Sequence, residues 1–538
     1  MTLRHALRVT LALALAPMAV LAATPLPAQA GPKTLIYCSE GAPEGFNPVF
    51  YNSGNTFDAT SRNVFDKLVR FERGTTDLKP GLAERWEISE DGRVYVFHLR
   101  PGVTFHANDR FTPSRTLTAD DVVWSFERQG KADHPYHAIG PGAYVYFQAS
   151  GFADNLDSVE KLDDLTVAFH LKEPQAPFLA NMATDFAVIF SAEYAEAMLK
   201  AGTPEIVDRQ PIGTGPFAFH SYQTDSRILY RAHETYWRGR TPLDRLVFVI
   251  TPDATVRQEK LKSGECHVMP FPVPADLPAL KANPALKVPE REGMNVGYLA
   301  FNQTKPPFGD RRVREALALA IDREAILEAV FDGQAVLANG PIPPSLWSHA
   351  ADLPPIPFDP DRARALLEEA GMASLKTTIW AMPVQRPYNP NARRMAEIIQ
   401  ANWKAVGVDA EIVSYEWGEY LKRAAAGEHD SVLLGWTGDN GDPDNFLAVL
   451  LGCDGVGGSN RAQWCHQPFE DLIQKAKVVS SMEARTALYE EAQVIFKEQA
   501  PWATIAHSVV YQPVRAEVLD WKIDPLGGNI FYGVDLKE

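Results

Sequence analysis

This sequence has no excess of basic residues, few cysteines and, beyond its first thirty residues, no stretch long and apolar enough to cross a bilayer. A formal charge of −16 argues against nucleic acid, whose recognition needs a basic footprint. It also leaves no polybasic patch for an anionic membrane surface. Neither G-x-S-x-G nor H-E-x-x-H occurs, so two common signatures of exported hydrolases are missing. No internal repeat and no low-complexity segment is present. The 4 cysteines include none placed after the N-terminal apolar run, where a lipid could be attached. They form no C-x-x-C and accompany no H-x-x-x-H, so metal is disfavoured although His267 and His466 each follow a cysteine.

What is present begins with a targeting segment. Arg4, His5 and Arg8 make a basic start, residues 9–23 are apolar, and Ala28-Gln29-Ala30 is an A-x-A cleavage site. Pro17 interrupts the apolar run, which is shorter than the roughly 20 residues a membrane span needs. Cleavage before Gly31 and release as a soluble exported protein are expected; an uncleaved signal anchor is the alternative. The rest is too long for one core and predicts two or more lobes. In an exported chain an even number of cysteines predicts disulfides. Four cysteines allow three pairings. Cys453 and Cys465 flank a glycine-rich loop and are the natural local pair, which leaves Cys38 with Cys266.

Alternating apolar patterns predict strands over 34–38, 93–99, 165–171, 227–230 and 246–251. Helices are expected from 119, with Thr118 as cap, and over 254–262. From about Arg291 strands and helices alternate. Strands are expected near 296–301, 377–382, 410–415 and 431–436, with helices over 311–321, 360–370, 391–405 and 418–425. That β-α-β-α-β order predicts a parallel sheet with crossover helices. The 391–405 helix is expected to be capped by Asn389 with Pro390 at its first position.

Two loops then fall on one edge of this second sheet. Gln385-Arg386-Pro387-Tyr388 follows one strand, and Thr437-Gly438-Asp439 follows another. Ligand contacts in open α/β sheets lie just beyond strand carboxyl ends. Arg386 offers a fork suited to a carboxylate, and Asp439 a carboxylate suited to an ammonium group. A zwitterion of fixed length, such as a short peptide, satisfies both. Tyr388, Tyr415, Trp417 and Trp436 are the expected walls. The bland readings are a surface Arg386 and an Asp439 spent on an Asx-turn. A calcium loop fails on spacing, because the sixth-position Gly and twelfth-position Glu are missing. Asp442 and Asp444 are expected to shape the turn.

Several runs together resemble the extracellular solute-binding proteins of peptide ABC transporters, in particular their dipeptide-binding branch. They are residues 37–41 (YCSEG), 81–87 (GLAERWE), 118–123 (TADDVV), 211–217 (PIGTGPF), 380–388 (WAMPVQRPY) and 435–446. The resemblance implies a periplasmic protein with a two-lobed α/β fold of the large type II class and two crossing hinge strands. It places the first lobe at 31–290 with an inserted subdomain at about 75–204, the second at 291–509, and a return at 510–538. Asp439 would bind the peptide α-ammonium and Arg386 its carboxylate. Backbone around Pro387, Tyr388, Trp436, Thr437 and Gly438 would complete the second-lobe contacts, and Asn52 would contribute from the first. The same resemblance implies the pairings Cys38–Cys266 and Cys453–Cys465, no cofactor, no catalysis, a monomer, and an inner-membrane permease as partner. The alternatives are the same fold carrying haem, tripeptides or another peptide-like ligand and, more remotely, an exported peptidase.

Overall fold

The structure is a computed structural model that describes residues 31–537; the expected targeting segment lies outside the described residues. Strand β1 (Thr34–Ser39) leads to helix α1 (Gly54–Ala59). Strands β2 (Ala83–Ile88), β3 (Val94–Leu99), β4 (Leu156–Asp163) and β5 (Thr166–Leu171) form an antiparallel sheet, with helix α2 (Ala119–Gly130) between β3 and β4. Thr118 and Asp121 close a capping box at the start of α2, satisfying two of the N–H groups that a helix start leaves without partners. Strands β6 (Phe217–Gln223), β7 (Arg227–Ala232) and β8 (Arg245–Ile250) then return to β1, in the order β1-β8-β7-β6. This sheet is mixed: β8 is parallel to β1 and antiparallel to β7.

The second sheet is built from β9 (Asn295–Phe301), β10 (Leu375–Trp380), β11 (Val408–Val413), β12 (Ser431–Thr437) and β13 (Trp502–Tyr511), in the order β13-β9-β12-β10-β11. Helix α3 (Ala392–Ala405) crosses from β10 to β11, α4 (Trp417–Ala425) crosses from β11 to β12, and α5 (Asp444–Leu451) follows β12. The expected parallel run holds for β10 with β11 and with β12. It does not hold for β9, which is antiparallel to both β12 and β13. The reason is connectivity: β9 carries the chain into this half and its neighbour β13 carries it out. The edge at the carboxyl ends of β10 and β12 therefore also holds the amino end of β9, where Asn295 faces Thr437.

Helix α3 shows how local sequence fixes an element. Ala392, Met395, Ala396, Ile399 and Trp403 form its buried face, the i, i+3, i+4 stripe of a helix packed on one side. Truncating a core aromatic such as Trp403 typically costs about 3–5 kcal/mol. The cap is Asn391, whose Oδ1 accepts from Arg394 N at 3.0 Å, and not the expected Asn389. Asn389 is occupied in a tight turn, exchanging two backbone hydrogen bonds with Arg386 (3.1 and 3.0 Å).

The fold has two lobes, each with its own hydrophobic core. One core gathers residues from β1 to β8 together with Val268, Val514, Val518, Phe531 and Val534; the other gathers residues 294–506 around β9, β12 and β13, joined by Ala149 and Leu526. The chain passes between them twice, and the two passes lie side by side. Glu290–Glu292 pairs antiparallel with Val509–Tyr511, and Leu286–Lys287 pairs with Val514–Arg515. These are the two crossing strands. Disulfides join Cys38 to Cys266 and Cys453 to Cys465, the pairing expected. Among the described residues no helix is long and apolar enough to cross a membrane.

Candidate functional site

One cavity lies between the two cores. From the first lobe it takes the loop after β1 and the start of α1; from the second it takes the loops after β10 and β12 and the Cys453–Cys465 loop. The loops after β10 and β12 share an edge because the two strands are parallel, Trp380 standing opposite Val432.

The loop after β10 is held against the sheet by a pair of glycines. Gly297 and Gly435 are direct partners on β9 and β12. A Cβ on Gly297 would stand 2.3 Å from the Tyr388 carbonyl oxygen, and one on Gly435 would stand 2.3 Å from the Tyr388 ring. Only residues without a side chain let Tyr388 lie this close to the strands, and the backbone bonds between Arg386 and Asn389 close the turn that carries it. The Arg386 guanidinium is buried and sits 4.9 Å from the Trp417 ring. Its Nη1 meets Glu40 Oε1 at 3.0 Å and donates to the Gln385 carbonyl at 2.9 Å; Nη2 reaches Asn55 Oδ1 at 3.3 Å. Glu40 and Asn55 belong to the first lobe, so this buried contact joins the two halves.

The loop after β12 is shaped by its own side chains. Asn440 Oδ1 accepts from Asp442 N and Asp442 Oδ1 from Asp444 N, each at 3.0 Å. Asp442 is also paired with Arg485 at 2.7 Å. Asp442 and Asp444 thus shape the turn, as expected, and Asn440, not Asp439, supplies its first Asx contact. Asn445 Oδ1, on α5, accepts from both Trp436 Nε1 (2.9 Å) and Asp439 N (2.8 Å).

The Asp439 side chain is thereby left for the cavity. Its Oδ2 is buried and has no hydrogen-bond partner among the described residues. Burial, reinforced by the charge of Asp185, pushes its pKa up to about 7; Arg62, the Tyr146 hydroxyl and Asn445 offset part of that. A carboxylate buried this way is costly unless a cation joins it. Below it, Arg62 bridges Asp58 (2.6 Å) and Asp185 (3.1 Å), so the nearest cation is already shared by two acids.

The structure brings together Asn52, Arg386, Pro387, Tyr388, Trp417, Trp436, Thr437 and Asp439 on this cavity. Asn52 Nδ2 donates to Ser459 Oγ at 2.9 Å, a second contact across the two lobes. Two expected residues are not on its wall. Tyr415 packs on Trp380 (4.9 Å) and beneath the Arg423 guanidinium (4.5 Å) instead. Gly438 gives its N–H to the Met294 carbonyl at 2.8 Å, and a Cβ there would meet Phe446 at 2.9 Å.

The comparisons with known proteins accord with this arrangement. Residues 77–458 match the model of the bacterial extracellular solute-binding proteins, family 5. The chain belongs to that family. It is 54% identical over 507 residues to the dipeptide-binding protein of Escherichia coli, covering 94% of this chain and 95% of the relative. It is 48% identical over 504 residues to haem-binding protein A of Haemophilus influenzae, covering 94% and 92%. Among solved structures, a dipeptide-binding protein from Pseudoalteromonas in complex with Met-Leu superposes with a TM-score of 0.91. That pair shares 39% identity and covers 94% of this chain and all of that one.

Several residues on the cavity of this family 5 protein escaped the sequence reading, among them Glu40, Phe271, Tyr298, Ser459, Arg461 and Gln512. Glu40 had a usable signal, since it lies just past the carboxyl end of β1, the same rule that selected Arg386. The others stand in irregular segments or on faces fixed only by tertiary contacts.

Proposed function

We propose that this protein captures dipeptides in the periplasm and delivers them to an inner-membrane ABC permease, without catalysing a reaction. In this reading residues 1–30 direct export. The lobes run over 31–290, with an inserted subdomain at about 75–204, and 291–509, with 510–538 returning to the first. Asp439 receives the peptide α-ammonium and Arg386 its terminal carboxylate. Pro387, Tyr388, Trp436 and Thr437 border the backbone, Gly438 holds the turn behind them through its bond to Met294, and Asn52 contributes from the first lobe.

The observation that carries this reading is a buried, unpartnered carboxylate oxygen on Asp439 in the same cavity as the Arg386 guanidinium. Two opposite charges in fixed loops measure the length of a zwitterion, and extended chain covers at most about 3.3–3.6 Å per residue. The relatives named for dipeptide binding support the same ligand class. The contacts that Arg386 and Asn52 make across the lobes support closure over the ligand, and a closed state favoured by ligand is what a permease can recognise.

Isothermal titration with Ala-Ala tests this reading. Saturable 1:1 binding with no release of free amino acids is expected; no binding would sink the ligand assignment, and release of alanine would sink the non-catalytic one. The likeness to a haem-binding protein motivates a parallel haem titration, in which a saturable Soret shift without dipeptide binding would transfer the function to haem.

A further inference from the structure

Besides Arg386 and the ion-paired Arg62, the cavity holds a third guanidinium. Arg461 lies on its wall and is only 5% exposed, yet it enters no ion pair among the described residues. Nη1 donates to the Leu421 carbonyl at 3.3 Å, and the guanidinium makes no other hydrogen bond to described residues. Its position is imposed from behind. His429 Nε2 bonds the Arg461 carbonyl at 2.8 Å, Asn460 Nδ2 bonds the Gly452 carbonyl at 3.0 Å, and the Cys453–Cys465 disulfide closes the loop.

The nearest acid is otherwise engaged. Glu44 accepts from the hydroxyls of Ser53 and Thr56. It feels the charges of both Arg386 and Arg461, but pairs with neither within ion-pair distance. A guanidinium stays charged at neutral pH even when burial lowers its pKa, as it does here. A buried cation with most of its donors unspent is costly unless an anion meets it.

Its place in the cavity says which anion. The Leu421 carbonyl that accepts from Arg461 lies one turn along α4 from Trp417, whose ring is 4.9 Å from the Arg386 guanidinium. Arg461 thus belongs to the Arg386 end. In an extended peptide successive side chains point to opposite sides, so only one of a dipeptide's two side chains can turn toward it. We propose that Arg461 is a specificity-determining residue that receives the carboxylate side chain of the second residue, so that the protein prefers dipeptides ending in Glu or Asp. This rests on the dipeptide reading given above.

Competing Ala-Glu against its neutral isostere Ala-Gln by calorimetry tests the proposal on the unaltered protein. Ala-Glu is expected to bind at least about tenfold more tightly, while Glu-Ala and Gln-Ala bind alike. In Arg461→Met the Ala-Glu to Ala-Gln ratio should fall to near one; Arg461→Lys should retain part of the preference. Equal binding of Ala-Glu and Ala-Gln by the unaltered protein overturns the proposal, as does a ratio unchanged in Arg461→Met. A preference carried by Glu-Ala instead overturns the assignment to the second residue. Ala-Ala separates the two levels: if it binds while these ratios stay flat, only the role of Arg461 falls, and if it does not bind, the dipeptide reading falls too.

Discussion

The two charged ends of the cavity are built differently. At the Arg386 end the charge already has a carboxylate, Glu40 at 3.0 Å, and an aromatic neighbour, Trp417. At the Asp439 end one oxygen is buried with no partner, and a second acid, Asp185, raises the cost further. The Arg386 charge is therefore satisfied as it stands; the Asp439 carboxylate is strained until a cation arrives. Binding energy and folding energy should then part company at Asp439 and run together at Arg386.

Asp439→Asn is the sharpest way to break this comparison. Removing the charge strands the ligand's ammonium, and a buried charge without its partner typically costs about 3–5 kcal/mol, so dipeptide affinity should fall by a factor of several hundred or more in calorimetry. The same substitution should raise the melting temperature of the peptide-free protein above pH 7. A carboxylate whose folded pKa is raised penalises the folded state above its unfolded pKa. Here the penalty grows from about pH 4, is complete above about 7, and is bounded by roughly 4 kcal/mol at 1.36 kcal/mol per unit. Arg386→Met should instead lower both affinity and melting temperature, because it leaves Glu40 buried without its ion pair. If Asp439→Asn melts lower than the parent, the strained end is not strained.

The same asymmetry makes binding pH-dependent in one direction. Only ionised Asp439 pairs with an ammonium, so affinity should drop as pH falls below about 7, by nearly tenfold per unit once the carboxyl is protonated. Binding at pH 6 should release a proton, read from titrations in buffers of different ionisation enthalpy. An affinity flat from pH 8 to 5.5 would place Asp439 in contact with water and remove the contrast between the two ends.

Much of this site was legible in the sequence because it lies where strands end. Arg386 and Asp439 follow β10 and β12, and strand ends are marked by apolar runs breaking into Pro, Gly, Asp and Asn. The turn roles of Asp442 and Asp444 follow from the same chemistry. Arg461 was not legible, since it sits in an irregular loop whose side-chain directions come from the disulfide and from Asn460. Tyr415 went wrong for a related reason: β11 ends at Val413, and an aromatic residue just beyond it can turn toward Trp380 as easily as toward the cavity. The sense of β9 was hidden because direction within a sheet depends on where the chain enters and leaves a lobe, which local pattern does not record.

The glycine pair behind Tyr388 sharpens the Arg386 end. Gly435→Ala sets a Cβ 2.3 Å from the Tyr388 ring and 2.4 Å from the Val296 carbonyl oxygen, so the loop must move. Overpacking of this kind costs about 1–3 kcal/mol. Affinity should drop roughly tenfold or more, while Asp439 keeps its raised pKa, visible as an unchanged midpoint in the pH profile. A shifted midpoint would show that the two ends are not independent.

The smallest effect is expected where the lobes meet through one neutral hydrogen bond, Asn52 to Ser459. Such bonds contribute about 0.5–1.5 kcal/mol net, and this one links residues of different lobes. Asn52→Ala should therefore weaken all dipeptides by the same few-fold factor, without altering the pH profile or the response to side-chain identity. Ser459→Ala should match it, and the double variant should cost little more than either alone, because both remove the same bond. Costs that simply add would mean that the two side chains act separately on the ligand.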